Sequence, residues 1–424
     1  MKQREGSKYE IEMELDKISS LPGHIIDQIL SQLPIKDAVR TSVLSSKWRY
    51  RWAKIPHLVF DNKCVSVPSE DQTFGKNKLT HIIDHVLLLH NGPIQKFKLS
   101  HRDLIGICDV DRWILYLSRS TIREFVLEIW KGQRYKLPSC LFSFENLIHL
   151  ELFNCLLKPP STFKGFRSLK SLDLQHITLA PDAFENLISS CPLLEKLTLM
   201  NFDGFTHLKI DAPNLQFFDI GGVFEYISFE STFQLSLVSV GLYANKNARN
   251  VSLEAIKWHS FFTDLPHVRR LEIQCFFLKY LADGGAPRML PKPCLDLNYL
   301  SLRINFNDRE ENSAALCILR SSPNLLELEL LVRSEEQNAV EELTYGWVQD
   351  HWKCHLEHLR LVKIVGISGV RYELDFIRFM LLSSPALERM TIKPASSDGG
   401  WDLMKELLRF RRASVQAEIV YMDP

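Results

Sequence analysis

The sequence predicts an α/β protein in which a short N-terminal helical module precedes a solenoid of stacked repeats with a curved parallel sheet. Three observations predict it. Apolar residues between positions 16 and 52 recur at helical spacing and include two tryptophans four apart. From position 94 one apolar pattern returns twelve times, the last start at 387, with a mean period of about 27 residues. Prolines stand just ahead of several of these units, where they suit the turn into a strand.

Residues 1–15 mix basic and acidic side chains (Lys2, Arg4, Glu5, Lys8, Glu10) without an apolar core, and read as a disordered, solvated tail rather than a secretory signal. Within residues 16–55, Ile25, Ile26, Ile29, Leu30 and Leu33 form one helical stripe. Pro22 suits the first turn of that helix and Pro34 stops it. A second segment carries Ala38, Val39, Ser42, Val43 and Leu44 on or beside its inner face, and Lys47 to Trp52 gives a third short helical piece bearing Trp48 and Trp52. About 40 residues are too few to bury this much apolar surface, so part of the stripe is expected to be completed by another protein.

Leu21-Pro22, Ile29-Leu30, Leu33-Pro34, Asp37, Val43 and Trp48 resemble the F-box at its usual spacings, and residues 33–45 resemble its plant version. The resemblance implies three helices that dock on a Skp-type adaptor, which joins a cullin scaffold and a RING subunit that recruits the ubiquitin-conjugating enzyme. Carried over residue by residue, the docking surface is Leu21, Pro22, Ile29, Leu30, Leu33, Pro34, Val39, Val43 and Trp48.

Residues 56–92 read as a linker and a helix capping the solenoid, and residues 93–354 as leucine-rich repeats. Representative units are Leu147/Leu150/Leu152, Leu169/Leu172/Leu174, Leu194/Leu197/Leu199 and Leu215/Phe218/Ile220, and the last two are Leu356/Leu359/Leu361 and Leu387/Met390/Ile392. The last two apolar positions of each unit alternate as in a strand and face inward, and stacking neighbours makes the core continuous. Ala183 to Ser190, Ala314 to Arg320 and Phe376 to Ser383 read as returning helices, while an insertion around Tyr243 to Ser252 and a turn at Asp283 to Pro287 read as loops. The repeat register places His149, Glu151, Phe153, Ser171, Asp173, Gln175, Lys196, Thr198, Met200, Phe217 and Asp219 on the opposite, concave face. Apolar anchors ringed by polar groups suit protein binding, so His149, Glu151, Phe153, Asp173, Gln175, Lys196, Met200, Phe217 and Asp219 are the candidate substrate contacts.

Residues 355–424 resemble the FBD region found at the C-terminus of many plant F-box proteins, through Leu359-Arg360-Leu361, Phe379 to Pro385, Phe410 to Ser414 and Glu418 to Val420. Trp401 to Arg409 reads as an amphipathic helix and Val415 to Tyr421 as a final strand, together completing the solenoid and covering its open edge.

Lys plus Arg and Asp plus Glu balance at 51 each, which removes the positive field that draws a chain to nucleic acid or acidic membranes. No run approaches the ~18 apolar residues of a membrane span. Nine cysteines, scattered and without a CxxC pair, read as reduced, and the chain is placed in the cytoplasm or nucleus. His81, Asp84 and His85 resemble a zinc-protease arrangement but offer no third ligand, and His351, Cys354, His355 and His358 lack a paired knuckle, so no metal site is assigned. With no phosphate loop, dinucleotide loop or nucleophile elbow, no catalytic residue and no cofactor are assigned either. The resemblance to the F-box implies a non-catalytic adaptor that holds a protein substrate beside a ubiquitin-charged enzyme. The alternatives are a small-molecule or hormone receptor and a repeat scaffold without ligase docking.

Overall fold

The computed structural model describes residues 17–64, 72–101, 109–243, 261–262, 265, 267–282, 285–333, 355–396 and 400–423. The expected tail, most of the insertion after Tyr243, Asp283-Gly284, His351 and Cys354 lie outside the described residues. The chain divides into two compact units, residues 1–133 and 134–424.

In the first unit, helix α1 (Gly23–Ser31) begins after Pro22 and α2 (Ile35–Arg40) after Pro34. Each proline sits at the capping position, where its fixed φ suits the entry and its missing N–H leaves no helical bond unmade. Sequence spacing suggests a third helix, but Tyr50 takes a left-handed backbone (φ 62) and breaks it, so Trp48 lies in a turn and Trp52 in the 3-10 turn Arg51–Lys54. Ile26, Leu30, Ile35, Ala38, Trp48 and Trp52 nevertheless pack as a buried core. Arg51 ties its ends together, meeting Asp27 at 3.0 Å and donating to the Gly23 carbonyl at 3.2 Å.

Strands β1 (His57–Asp61), β2 (Lys96–Ser100) and β3 (Glu124–Glu128) follow, parallel and in that order, with α3 (Gln72–Leu89) and α4 (Asp109–Leu117) returning the chain between them. Strand β1 belongs to the repeat: Ile55/Leu58/Phe60 has the same spacing and precedes the first start counted from the sequence. The rings of Phe60, Phe97 and Phe125 continue one another at 5.8 and 5.9 Å.

Among the described residues of the second unit, eleven strands of the long sheet pair in parallel and in chain order: β4 (His149–Phe153), β5 (Ser171–Gln175), β6 (Lys196–Met200), β7 (Phe217–Gly222), β8 (Leu237–Leu242), β9 (Arg270–Cys275), β10 (Tyr299–Ile304), β11 (Glu327–Val332), β12 (Leu361–Ile367), β13 (Arg389–Pro394) and β14 (Glu418–Tyr421). Two buried rows run across them. Leu150, Leu172, Leu197 and Phe218 begin one, and Leu152, Leu174, Leu199 and Ile220 the other. One unit departs from the expected register. Leu328 pairs with Val362 and Leu330 with Ile364, so the inward pair of β12 is Val362/Ile364, and Leu361 is 39% exposed. Leu356 and Leu359 are also buried, in the turn ahead of the strand, which is why the pattern fits three residues too early.

Helices return where the sequence places them: α5 (Pro181–Ser189), α7 (Arg309–Arg320) and α8 (Arg371–Ser383), joined by the short α6 (Phe277–Ala282). In α7 and α8 a buried glutamate at the third position ties down the preceding turn. Glu311 accepts from the Asn305 N–H at 2.9 Å, and Glu373 accepts from Ser368, Gly369 and Val370 at 2.9, 2.7 and 3.2 Å. The chain ends on α9 (Gly400–Arg409), whose Leu403 and Leu407 are buried, and on β14, which pairs with β13 and ends the sheet of this unit.

Candidate functional site

The helical module exposes apolar side chains in spite of its filled core. Val43 is 88% exposed and Ile29 38%, and Pro22 and Pro34 are exposed as well, while Leu21, Leu33 and Val39 are half-buried. Two residues assigned to the docking surface lie elsewhere. Leu30 is fully buried and Trp48 is 3% exposed, its indole N–H aimed at the Ile18 carbonyl 3.3 Å away, so both support the surface from within. Both are buried in the core of the module with Ile26 and Trp52. Ile18 (49%), Leu44 (49%) and Tyr50 (62%) are exposed apolar groups that the sequence reading did not assign to the surface. An apolar stripe alone does not say which of its members the module keeps for itself.

In the second unit the residues opposite the buried rows form three further rows. Along the first, His149, Ser171, Lys196, Phe217 and Leu237 are successive partners, and along the third, Phe153, Gln175, Met200, Gly221 and Gly241. Between them runs a row of Glu151, Asp173, Thr198, Asp219, Ser239, Glu272, Ser301 and Glu329, with no cation until Lys363. All nine candidate substrate contacts lie on these rows, and among them only Lys196 is exposed; the others are half-buried.

Burial sets the electrostatics of the middle row. It pushes the Asp173 carboxyl above the ordinary value of 3.8 against the hydrogen bond from Gln175 at 3.0 Å, and the charges of Glu151 and Asp219 push the same way. Asp219 is raised by burial too, although Ser239 donates to it. Farther along, Glu329 accepts from Tyr299 at 2.7 Å and pairs with Lys363 at 2.8 Å, while Arg270 lies 3.8 Å over the Tyr299 ring.

The apolar members have partners of their own. Phe153 packs edge-on against His176 with ring centroids 4.9 Å apart. Tyr243 lies across Gly221, its hydroxyl 3.9 Å from the Met200 sulfur, and a Cβ on Gly221 would sit 2.5 Å from that hydroxyl. Gly221 therefore keeps a flat floor on which Tyr243 can lie. The repeat register could not reveal this contact, because Tyr243 follows the last residue of β8.

His81 and His85 stack at 6.2 Å, but Asp84 between them is engaged by Arg112 at 2.8 Å and by the Trp113 indole N–H at 2.7 Å. Among the described residues no cluster of three or more His, Cys, Asp or Glu could hold a metal ion. Burial raises the thiols of Cys155 and Cys317 to about 12 and those of Cys191 and Cys294 to about 11, which keeps them protonated. No helix among the described residues is long and apolar enough to cross a membrane.

Three family models match along the chain: an F-box domain over residues 18–59, the repeats described as FBD-associated F-box protein At5g56370, LRR repeats, over 110–330, and an FBD over 350–392. Helix α9 and strand β14 lie beyond the last match. The F-box/FBD/LRR-repeat protein At1g13570 of Arabidopsis thaliana is 41% identical over 96% of this chain and 99% of its own length. Two others from the same plant are the probable FBD-associated F-box protein At1g32375, 26% identical over 94% of this chain and 98% of its own, and the F-box/FBD/LRR-repeat protein At5g53840, 28% identical over 90% and 88%.

Proposed function

The chain belongs to the plant F-box/FBD/LRR-repeat family, and on that premise we propose that it is the substrate-recognition subunit of a Skp–cullin–F-box ubiquitin ligase. The observation that carries this reading is the set of apolar groups left outside a module whose core is already complete. With Ile26, Leu30, Trp48 and Trp52 packed inside, Val43 at 88% and Ile29 at 38% exposure serve no purpose in the isolated module. They suit desolvation against a Skp-type adaptor, and Leu21, Pro22, Leu33, Pro34 and Val39 extend the same contact. Leu30 and Trp48 act there by holding the exposed groups in place.

The solenoid then presents its three open rows to a protein substrate. Phe153, Met200 and Phe217 are the anchors. The carboxylates of Glu151, Asp173 and Asp219 favour a partner face carrying lysine or arginine, because complementary charge speeds encounter and rejects acidic competitors. The chain supplies proximity rather than a reacting group, raising the local concentration of a substrate lysine beside the charged conjugating enzyme. Cytoplasm and nucleus are where such a complex would act.

The test is capture from plant cells under proteasome inhibition, comparing wild type with Ile29→Glu/Val43→Glu and reading partners by mass spectrometry. The reading expects adaptor and cullin to vanish from the variant while substrates remain and accumulate. Equal recovery of adaptor and cullin from both would count against it.

A further inference from the structure

A cavity of about 320 Å³ opens between α2 and α3 within the first unit. Its floor is apolar and buried, made by Ile35, Trp52, Cys64 and Val86, and half-buried Val39 and Ile82 form its walls. Every other lining side chain is a cation or an imidazole: Lys36 and Arg40 from α2, His81 and His85 from α3. Among the described residues no carboxylate lines it, although Asp61 meets the thiol of the floor residue Cys64 at 3.8 Å. Asp84, the acid nearest the two histidines in sequence, is turned away to Arg112 and Trp113. Asp37 reaches Arg40 only at 3.7 Å, across a largely exposed pair. Lys36 has no ion-pair partner among the described residues.

An apolar chamber with an aromatic floor and a purely basic rim is matched by one kind of occupant. We propose that this cavity binds a small ring-bearing carboxylate, its apolar body against Trp52, Ile35 and Val86 and its anion among Lys36, Arg40, His81 and His85. Burial of the body supplies affinity, since cavities near this size bury most of a small ligand's surface. The anion supplies selectivity, because charge-assisted hydrogen bonds to lysine and arginine are about twice as strong as neutral ones. The histidine pair thus has a part that neither a metal site nor a repeat strand gives it. The inference does not depend on the ligase reading: Val39 alone is shared with the proposed adaptor contact, and the other lining residues lie outside it.

Calorimetric titration of the full-length chain with 2-naphthoate, and with the uncharged 2-naphthamide, tests it. The expected result is saturable one-to-one binding of the carboxylate, about tenfold or more tighter than the amide. Lys36→Gln/Arg40→Gln should erase the preference while leaving weak binding of both. Ile82→Trp, which fills the chamber from the α3 side, should abolish binding with the melting transition retained; Val39→Phe fills it from the α2 side and serves if the first variant misfolds. Equal affinity for carboxylate and amide, or undiminished binding in a folded filled variant, would overturn the proposal. So would the absence of saturable heat from wild type together with loss of adaptor binding in Ile82→Trp, which would make the chamber a socket for the partner's side chain.

Discussion

Glu151 and Asp173 stand directly opposite each other on the neighbouring parallel strands β4 and β5, two carboxylates as register partners. Like charges so placed cost stability, roughly 0.2–1 kcal/mol per pair, and the free chain tolerates the cost on the face proposed to meet a substrate. Replacing both, Glu151→Gln with Asp173→Asn, should raise the melting temperature slightly while slowing substrate capture, most visibly at low salt. Calorimetry and association rates across a salt series check both halves. A lower melting temperature with unchanged capture would show that the pair is merely structural.

Phe153, Met200 and Phe217 are the apolar part of the same face. Their joint replacement by alanine should slow ubiquitination of a captured partner at least tenfold, since central apolar anchors often contribute ~2 kcal/mol or more each. The variant must remain folded and adaptor-bound for the comparison to count. Unchanged ubiquitination would move the substrate elsewhere, most naturally to the C-terminal repeats.

Arg333 and Glu311 form an ion pair inside the second unit, their side chains 9% and 0% exposed, with Arg333 also donating to the Cys275 carbonyl at 2.6 Å. Arg333→Met leaves the carboxylate buried without its cation and should cost about 3–5 kcal/mol, measured by denaturant unfolding. A loss below about 1 kcal/mol would mean that the glutamate is rescued by its bond from Asn305 alone.

Acid should stabilise parts of this fold. Burial raises the folded-state carboxyls of Asp173, Asp219 and Glu373 above their ordinary values of 3.8, 3.8 and 4.5. The folded chain then holds these protons more tightly than the unfolded chain. Between the ordinary and the raised values, falling pH favours the fold, and above the raised values the ionised groups are a cost. Glu329 has the opposite sign. Burial would raise it, but Lys363 and Tyr299 hold it below 4.5, and its contribution is lost as pH falls through that lowered value. The slope of stability against pH just above the ordinary carboxylate values should therefore flatten in Glu373→Gln, a change read by unfolding at a series of pH values. An unchanged slope would contradict the assignment.

Removing Trp401 to Pro424 takes away α9 and β14, uncovering the pairing edge of β13 and the surface that Leu403, Leu407 and Phe410 cover. The truncated chain should aggregate or be cut rapidly by protease. A soluble product with an unchanged melting transition would make the segment an appendage.

Much of this architecture is legible in the sequence because the repeat is a packing rule. Leu172 and Leu174, two apart, must face the same way, and the chain can stack such pairs only side by side. The same rule misplaces Leu361, because Leu356 and Leu359 are buried in a turn and imitate a unit's start. The apolar stripe of the N-terminal module was legible, but not its outside and inside: Leu30 and Val43 are equally apolar, and only packing separates 0% from 88% exposure. Glu311, Glu373 and the contact of Tyr243 with Gly221 leave no signal in a single sequence, since each depends on a turn or register that only the folded chain defines.

In the proposed complex the exposed apolar groups of the N-terminal module hold a Skp-type adaptor. The direct measurement is the adaptor's dissociation constant for the purified full-length chain, for Ile29→Glu/Val43→Glu, and for Leu33→Glu. Wild type should form a stable one-to-one complex. The double variant, whose altered side chains lie outside the core, should bind at least a hundredfold more weakly with its melting transition unchanged, since the lost anchors and the desolvated carboxylates each contribute about 2 kcal/mol or more. Wild-type affinity in the folded double variant, or no complex with wild type, would contradict the account.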